Sequence, residues 1–246
     1  MKRKLGQVSL ERALSKRGLA SRTQARELIV AGQVRVNGTV RLDPGFAVNP
    51  DRAVFEIAGE RQARELVLAT YLLHKPRGVV TTRADERGRP TVFTLLDVPE
   101  KLHAVGRLDL ATTGLLLLTN DTRLSSWLTE PANDVPRIYL ARVRGEVAVT
   151  GVAQLLAGIP SEVGLLQARA ARIRKSSGRE SLVELELTEG KNREVRRMME
   201  AIGHPVIDLK RIAFGGLVLG DLAPGAYRPV SADELVRAFP KFKRGT

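Results

Sequence analysis

The chain has 246 residues, 43% of them hydrophobic, which is enough for one large domain or two unequal ones. It contains no cysteine, which excludes disulfides, zinc–thiolate sites and cysteine nucleophiles. It carries 40 Lys and Arg against 27 Asp and Glu, a formal charge of +13, so a polyanion such as nucleic acid is the expected partner. Aromatic residues make up only 4%, which argues against extensive base stacking of the single-strand-binding type.

The hydropathy pattern of the sequence predicts neither a membrane-spanning segment nor a secretory signal. No apolar run approaches the ~18 residues of a transmembrane helix. The basic N-terminus, Met1–Gly6, is not followed by the apolar segment of a secretory signal. We therefore expect a cytoplasmic protein with no membrane partner.

Two short amphipathic helices are predicted first. One runs from Leu10 to Arg17 and ends at Gly18, since glycine is favoured directly after a helix. The other begins at Ser21, which together with Gln24 fits a capping box, and stops near Gly32. Both helices carry basic residues on their outer faces.

A small β-structure is predicted after them. Val34–Val36 alternates as a strand does, and Asn37–Gly38 is a strong tight-turn signal leading into Thr39–Val40. Further short strands are expected at Phe46–Val48 and Val54–Ile57.

The two basic helices and the segment Gly32–Val40 carry a first resemblance. From about Val8 to Ile57 the chain resembles the RNA-binding module of ribosomal protein S-four, the alpha-L motif. The resemblance implies a small α/β RNA-binding domain at residues 1–58, in which Arg22, Arg26 and Arg35 face RNA phosphates. Each of these arginines, taken alone, fits a solvated protein face equally well.

A charged segment without a clear pattern, residues 59–69, is predicted as a linker to a larger unit at residues 70–239, and residues 240–246 form a basic tail. The larger unit begins with strands at Tyr71–His74 and Val79–Thr82, separated by a turn at Pro76 and Gly78.

The stretch Gly106–Asp121 contains the strongest candidate for a reactive group. Asp109 follows Arg107 and precedes the run Leu115–Leu118, which predicts a buried strand. Asp109 therefore lies on a loop at the mouth of a core strand, where catalytic groups are often placed. An aspartate ahead of Thr112–Gly114 is equally typical of a turn in which the side chain bonds to its own backbone.

The rest of the chain alternates irregularly between helices and strands, which favours an α+β fold over a parallel doubly wound sheet. The predicted elements are a helix at Leu124–Leu128, a strand at Arg137–Val143, a helix within Val147–Ile159, a strand at Leu182–Leu187, a helix from Asn192 to Gly203, strands with turns over Leu209–Val230 and a helix at Ala232–Phe239.

The sequence contains few motifs and residues that could carry out catalysis. The sequence has no Walker-type phosphate loop, no dinucleotide-binding G-x-G-x-x-G and no G-x-S-x-G elbow. Its histidines, His74, His103 and His204, are far apart. We therefore expect neither a cofactor nor a metal. Acid/base or nucleophilic chemistry by a carboxylate remains, assisted by arginine and tyrosine.

Five segments of the larger unit carry a second resemblance. Their order and residues resemble the motifs of the RsuA-type family of ribosomal RNA pseudouridine synthases, closest to the large-subunit branch. They are His74–Gly78, Gly106–Asp121, Arg137–Tyr139, Glu189–Met198 and Phe214–Pro229.

This resemblance implies a pseudouridine synthase fold with a mixed, mainly antiparallel central sheet and flanking helices. It also implies a cofactor-free isomerisation of uridine, in which the base leaves the ribose, turns and is rejoined through carbon 5. Asp109 corresponds to the catalytic aspartate, which acts either as a nucleophile or by helping to remove a ribose proton. Tyr139 corresponds to the tyrosine that packs on the target base. Arg196 corresponds to the arginine that pairs with the aspartate.

The resemblance also assigns contacts with RNA. Arg107 corresponds to an arginine that reaches into the RNA, and Lys75 and Arg193 are further expected contacts. Arg137 stands where most of the family has lysine. Without the resemblance, Tyr139 would be interpreted as a core tyrosine and Arg196 as a surface charge.

The expected partner is ribosomal RNA or a ribosomal assembly intermediate, bound by a monomer. Two other functions stay open at this point. One is a non-catalytic RNA-binding assembly factor that keeps the fold. The other is a base-excising hydrolase that activates water with a carboxylate and releases free uracil.

Overall fold

The computed structural model describes residues 7–17, 19–20, 22–50, 52–61, 68–99 and 101–243. The chain divides into two compact units, residues 1–68 and 69–246. No helix in these ranges is long and apolar enough to span a bilayer.

The N-terminal unit is small and mixes helices with short strands. Its elements are β1 (Val8–Ser9), α1 (Leu10–Lys16), α2 (Arg22–Val30), β2 (Val34–Val36), β3 (Thr39–Val40), β4 (Ala47–Val48), β5 (Phe55–Ile57) and β6 (Glu60–Arg61). Strands β3, β2, β5 and β6 form an antiparallel sheet in that order, and β1 pairs with β4. Both predicted helices and the predicted β2–β3 hairpin are present.

The core of this unit is formed by the inner faces of both helices and by alternate strand residues. Leu10, Ala13 and Ile29 are fully buried against Phe55, as the helical spacing predicted. Part of the predicted linker is instead strand β6, which pairs with β5. The predicted helix boundaries at Gly18 and Ser21, and most of the remaining linker, lie outside the described residues.

The C-terminal unit is built around one large sheet. Its elements are β7 (Thr70–Lys75), β8 (His103–Val105), β9 (Thr112–Thr119), α3 (Thr122–Thr129), β10 (Arg137–Arg144), α4 (Val149–Ala157), β11 (Ala170–Ser176), β12 (Glu180–Leu187), α5 (Glu194–Ala201), β13 (Val206–Phe214), β14 (Leu217–Val218), β15 (Tyr227–Pro229), α6 (Ala232–Ala238) and two short 3-10 helices at Val92–Leu95 and Pro131–Asn133.

The strand order across the sheet is β11, β12, β10, β13, β9, β7 and β15, with β14 beside β13 and β8 beside β9. Every pairing is antiparallel except that of β13 with β9, which is parallel. The sheet is therefore mixed and mainly antiparallel, as predicted.

Strand β9 is buried on both faces, which explains its unbroken leucine run. Leu115 and Leu117 pack into the cluster around Phe214, whereas Leu116 and Leu118 pack into a second cluster on the other side. The strand begins at Thr112 rather than after Gly114, so the predicted turn at Thr112–Gly114 is already part of the sheet.

Gly114 allows β9 to approach β13. Its φ is +106°, and a Cβ placed there would lie 2.1 Å from the carbonyl oxygen of Arg211. Only glycine fits so close a backbone approach.

One other predicted strand and one predicted helix boundary were wrong. Val79–Thr82 is not a strand, since only Val80 bridges to Thr91. Helix α5 begins at Glu194 rather than Asn192, because Arg193 adopts the left-handed conformation (φ 52°) and interrupts the helical path.

Candidate active site

A cleft of about 540 Å³ opens where the loop before β9, the strands β10 and β13, and the segment before α5 meet. Loop and strand residues line it from every side. They include Arg107, Asp109, Thr112, Arg137, Tyr139, Lys191, Arg193, Glu194, Leu209, Arg211 and Phe214. The structure thus brings together side chains from four of the five motifs, all except His74–Gly78.

Asp109 is held at the cleft by backbone bonds of its loop. The amide of Thr112 donates to the Asp109 carbonyl at 3.0 Å, and the amide of Gly78 donates to the carbonyl of Leu110 at 2.9 Å. The Asp109 side chain is 40% exposed. Among the described residues it accepts no hydrogen bond from its own turn, so the turn is made by the backbone and the carboxylate stays free to react.

The cation nearest to the Asp109 carboxylate is Arg193. Its Nη1 lies 3.7 Å from Asp109 Oδ2. The left-handed conformation of Arg193 at the N-terminus of α5 turns this side chain into the cleft. Arg193 was expected to contact RNA, and its position on the cleft wall also places it beside the carboxylate.

Arg196 does not form the ion pair with Asp109 that was expected of it. Its Nη1 donates to the carbonyl of Val206 at 3.2 Å, while Nε and Nη2 are buried without a partner in the described part of the chain. Burial lowers the pKa of Arg196, repulsion from Arg193 lowers it further, and attraction by Asp109 raises it. Arg196 therefore lies within electrostatic range of Asp109 without contacting it, three residues after Arg193.

Tyr139 lies on β10, the third strand of the sheet, and lines the cleft. Its register partners are Leu185 on β12 and Arg211 on β13. The ring is half-buried between two hydrophobic clusters and leaves part of its surface open. The position combines both sequence interpretations, since the tyrosine packs on the core and also faces the cleft.

Arg137 is a structural anchor beneath the site. It is 7% exposed, and its guanidinium donates to four backbone carbonyls. The acceptors are those of Leu128, Val135, Thr188 and Glu189. Burial lowers its pKa. This arginine ties the segment before α5 to the end of α3, a role that the sequence did not show.

Glu194 is a second buried charge that sequence reasoning missed. Its Oε2 accepts from the amide of Lys191 at 3.2 Å, and its own amide donates to the carbonyl of Lys191 at 3.2 Å. Burial raises the pKa of the Glu194 carboxyl, against the lowering effect of the Lys191 amide. These reciprocal bonds close the turn that presents Arg193.

Arg211 forms part of the cleft floor. It is 3% exposed, its Nε donates to the carbonyl of Leu115 at 2.7 Å, and its guanidinium lies 5.1 Å from the Phe214 ring centroid. It therefore ties the parallel strands β9 and β13 together where they line the cleft. An arginine at an inward-facing strand position was the available signal for such a role.

Lys75 does not occupy the position expected of an RNA contact. It is 0% exposed, and its Nζ donates to the carbonyls of Pro76 and Thr112, each at 2.9 Å. Burial lowers its pKa to about 8, partly offset by attraction from Asp109. Lys75 is the last residue of the buried strand β7, so its ammonium lies inside the protein beneath the loop that contains Asp109.

The other expected RNA contacts are solvent-exposed. Arg107 lines the cleft rim. In the N-terminal unit, Arg22 is exposed, Arg26 is ion-paired with Glu11 at 3.1 Å, and Arg35 donates to the Gly38 carbonyl. No three His, Asp or Glu side chains within the described ranges form a group that could hold a metal ion.

Comparison with known proteins identifies both units. The RNA pseudouridylate synthase family profile matches residues 69–201, more than half of the chain. The chain belongs to this family. The S4 domain profile matches residues 9–54. Both resemblances found in the sequence are thereby confirmed.

The relatives are similar over nearly their whole length. An uncharacterised RNA pseudouridine synthase of Aquifex aeolicus is 37% identical over 95% of this chain and 94% of its own. The ribosomal large subunit pseudouridine synthase B of Bacillus subtilis is 37% identical over 93% and 94%. A crystal structure of a pseudouridylate synthase, 28% identical, superposes with a TM-score of 0.66 over 94% of this chain and 99% of that one. The predicted fold is therefore confirmed.

Proposed function

We propose that this protein converts a uridine of large-subunit ribosomal RNA to pseudouridine, with Asp109 as the reactive carboxylate. The observation that carries the proposal is the placement of a half-exposed Asp109, with Arg193 at 3.7 Å, in one cleft with Tyr139. Relatives named for large-subunit ribosomal RNA support this choice of substrate.

Asp109 has the geometry of a group that meets the nucleotide directly. Its side chain is open to the cleft and its backbone is fixed. With Arg193 beside it, the carboxylate either attacks the ribose or base or helps to take a ribose proton. Both routes leave the atoms of the uridine in the product.

Tyr139 would receive the flipped base. Taking a uridine out of its stack costs a few kcal/mol. Stacking on one aromatic ring returns about 1–3 kcal/mol. Arg107 on the cleft rim would enter the RNA and hold the displaced site open. A tyrosine wall and a basic rim therefore suit a nucleotide that must turn while bound.

Outside the cleft, we propose that the N-terminal unit docks the protein on ribosomal RNA through Arg22, Arg26 and Arg35. The substrate is naked ribosomal RNA or an assembly intermediate in the cytoplasm, and the protein acts as a monomer. The boundaries that we propose are residues 1–58 for the docking module, 59–69 for the linker, 70–239 for the catalytic domain and 240–246 for the tail.

The test is to map pseudouridine in ribosomal RNA from cells with and without the gene. We expect one large-subunit site to lose its modification and to regain it when the gene is restored. An unchanged map with impaired ribosome assembly would favour the non-catalytic assembly factor. Release of free uracil by the purified protein would favour the hydrolase.

A further inference from the structure

Three guanidiniums surround the reactive loop with only two carboxylates among them. Arg77 and Arg193 both repel Arg196, and Asp109 and Asp208 attract it. This group therefore carries an excess of positive charge. Excess charge of this sign beside a cleft attracts an anion.

Arg77 is the most exposed of the group members that do not line the cleft. It lies in the turn after β7, and the neighbouring Gly78 amide bonds to the carbonyl of Leu110, next to Asp109. Its side chain is 60% exposed. The backbone thus places an exposed arginine directly beside the loop of the reactive carboxylate.

The contacts of Arg77 within the protein are long. Its Nη2 lies 3.8 Å from Asp208 Oδ1 and 3.4 Å from the carbonyl of Ile207. A guanidinium has five N–H donors, so one nitrogen making two long contacts leaves most of them for a ligand. Exposed ion pairs of this kind contribute about 0–1 kcal/mol, and a stronger anion displaces them readily.

Arg196 contacts the same segment of β13 as Arg77. It donates to the carbonyl of Val206, so that Arg77 and Arg196 together contact three consecutive residues, 206–208, at the start of β13. Two nitrogens of Arg196 are buried without a partner in the described chain. The partly buried Arg196 supplies positive charge, and the exposed Arg77 supplies free donors.

We propose that Arg77 binds a backbone phosphate of the RNA strand that enters the cleft, and that Asp208 occupies the guanidinium in the free protein. The inference rests on the proposed function, since it takes RNA as the ligand. Phosphate fits because its oxygens accept two parallel N–H bonds from one guanidinium. A purely structural Arg77 would only tie its turn to β13.

The test measures RNA affinity against salt for R77Q and R77K, both in a D109N background so that no turnover occurs. The probe is unmodified large-subunit ribosomal RNA transcribed in vitro. We expect R77Q to lower the slope of log affinity against log salt by ~0.7–0.9, the value for one phosphate contact. R77K should keep most of the slope, because it keeps the charge.

The matched control is R179Q. Arg179 is an exposed arginine just beyond the end of the β10–β12 ladder where Arg144 pairs with Glu180, whereas the cleft lies at the end where Arg137 pairs with Leu187. R179Q should leave the slope unchanged. Equal slopes for R77Q and R179Q would overturn the proposal.

Asp208 provides a second readout. D208N should tighten RNA binding when Arg77 is present, because the competing carboxylate is gone, and should have no such effect on top of R77Q. Equal effects in both backgrounds would contradict competition for Arg77. Pseudouridine formation by the wild type is measured on the same RNA. Its absence would reject the proposed function and leave the binding result to decide the role of Arg77.

Discussion

Among single residues, the site combines one half-exposed carboxylate with several buried charges. Lys75, Arg137, Glu194 and Arg211 are each at most 7% exposed, whereas the Asp109 side chain is 40% exposed. Burying a charge costs several kcal/mol unless it is well hydrogen-bonded. Here backbone groups supply most of the bonds, so these residues fix the loops around Asp109.

Lys75 predicts a pH dependence of stability. Burial lowers its pKa to about 8 in the folded protein, from 10.5 for a free lysine. The unfolded chain therefore binds more protons at this group between these pH values, and the free energy of unfolding should rise with pH across that window. The difference between these two pKa values corresponds to roughly 3 kcal/mol.

Replacing Lys75 by Met tests this effect, because Met has similar bulk and no charge. Urea unfolding of the wild type and K75M gives the difference between their unfolding free energies. The measurements run from about pH 7.5 to about pH 10.5, the range that contains the folded and unfolded pKa values of Lys75. We expect the wild type to gain stability relative to K75M as pH rises. A constant difference would show that the lysine is not desolvated in the folded state.

Among secondary-structure elements, the pairing of β9 with β13 positions the site. It places Thr112 opposite Leu209 and Gly114 opposite Arg211, and all of these except Gly114 line the cleft. The two strands are parallel and about a hundred residues apart, so no short turn connects them. The sequence therefore contains no local turn motif from which their pairing could be predicted. Gly114 is the residue in the sequence that reflects the close approach of β9 to β13.

Gly114→Ala should therefore disrupt the centre of the sheet. The new Cβ would meet the Arg211 backbone at 2.1 Å from its oxygen and 2.7 Å from its nitrogen, at a φ of +106°. We expect a loss of more than about 3 kcal/mol in the free energy of unfolding, measured by chemical denaturation.

The control is Gly178→Ala, in the turn between β11 and β12, where a Cβ meets nothing within 4 Å. This variant should stay within about 0.5 kcal/mol of the wild type. Equal stability of the two variants would mean that β9 and β13 do not approach as described.

The sequence predicted those elements whose burial follows a clear period. Strand β12 and helix α5 show such periods, and both were found within about two residues of their observed ends. Strand β11 was missed because it is an edge strand with mostly exposed residues and no apolar alternation. The start of α5 was misplaced because the left-handed Arg193 is set by the tertiary turn rather than by its own preference.

The site was predicted only in part. Asp109, Tyr139, Arg107 and Arg193 could be located through family motifs, and they do share the cleft. The pairing of Arg193 rather than Arg196 with Asp109 occurs together with the left-handed conformation of Arg193. The burial of Lys75 depends on how β7 enters the core, and neither fact leaves a sequence signal.

In the molecule as a whole, the charge of +13 is shared by two compact units. The C-terminal unit contains the cleft, and the N-terminal unit matches the S4 domain. Phosphate contacts made outside the cleft add affinity without chemistry, and they make binding dependent on salt. The exposed arginines Arg22 and Arg35 are the clearest candidates, since Arg26 is already paired with Glu11.

A double variant, Arg22→Gln with Arg35→Gln, should weaken binding to large-subunit ribosomal RNA. The slope of log affinity against log salt should fall by about 0.9 for each lost contact with a helical phosphate. The matched control, Arg12→Gln with Arg52→Gln, removes the same charge from other exposed positions of the unit. Equal losses in both variants would point to general charge rather than to a docking face.

Asp109 is proposed to perform the isomerisation, and the variant Asp109→Asn is the sharpest test of this role. The variant keeps the size of the side chain and removes its charge. Cells that carry only this variant should lack pseudouridine at the site that depends on the gene, while RNA affinity in vitro stays near that of the wild type. Asp221→Asn, at an exposed position outside the cleft lining, should modify the site fully. Full modification by the Asp109→Asn variant would show that another group performs the chemistry.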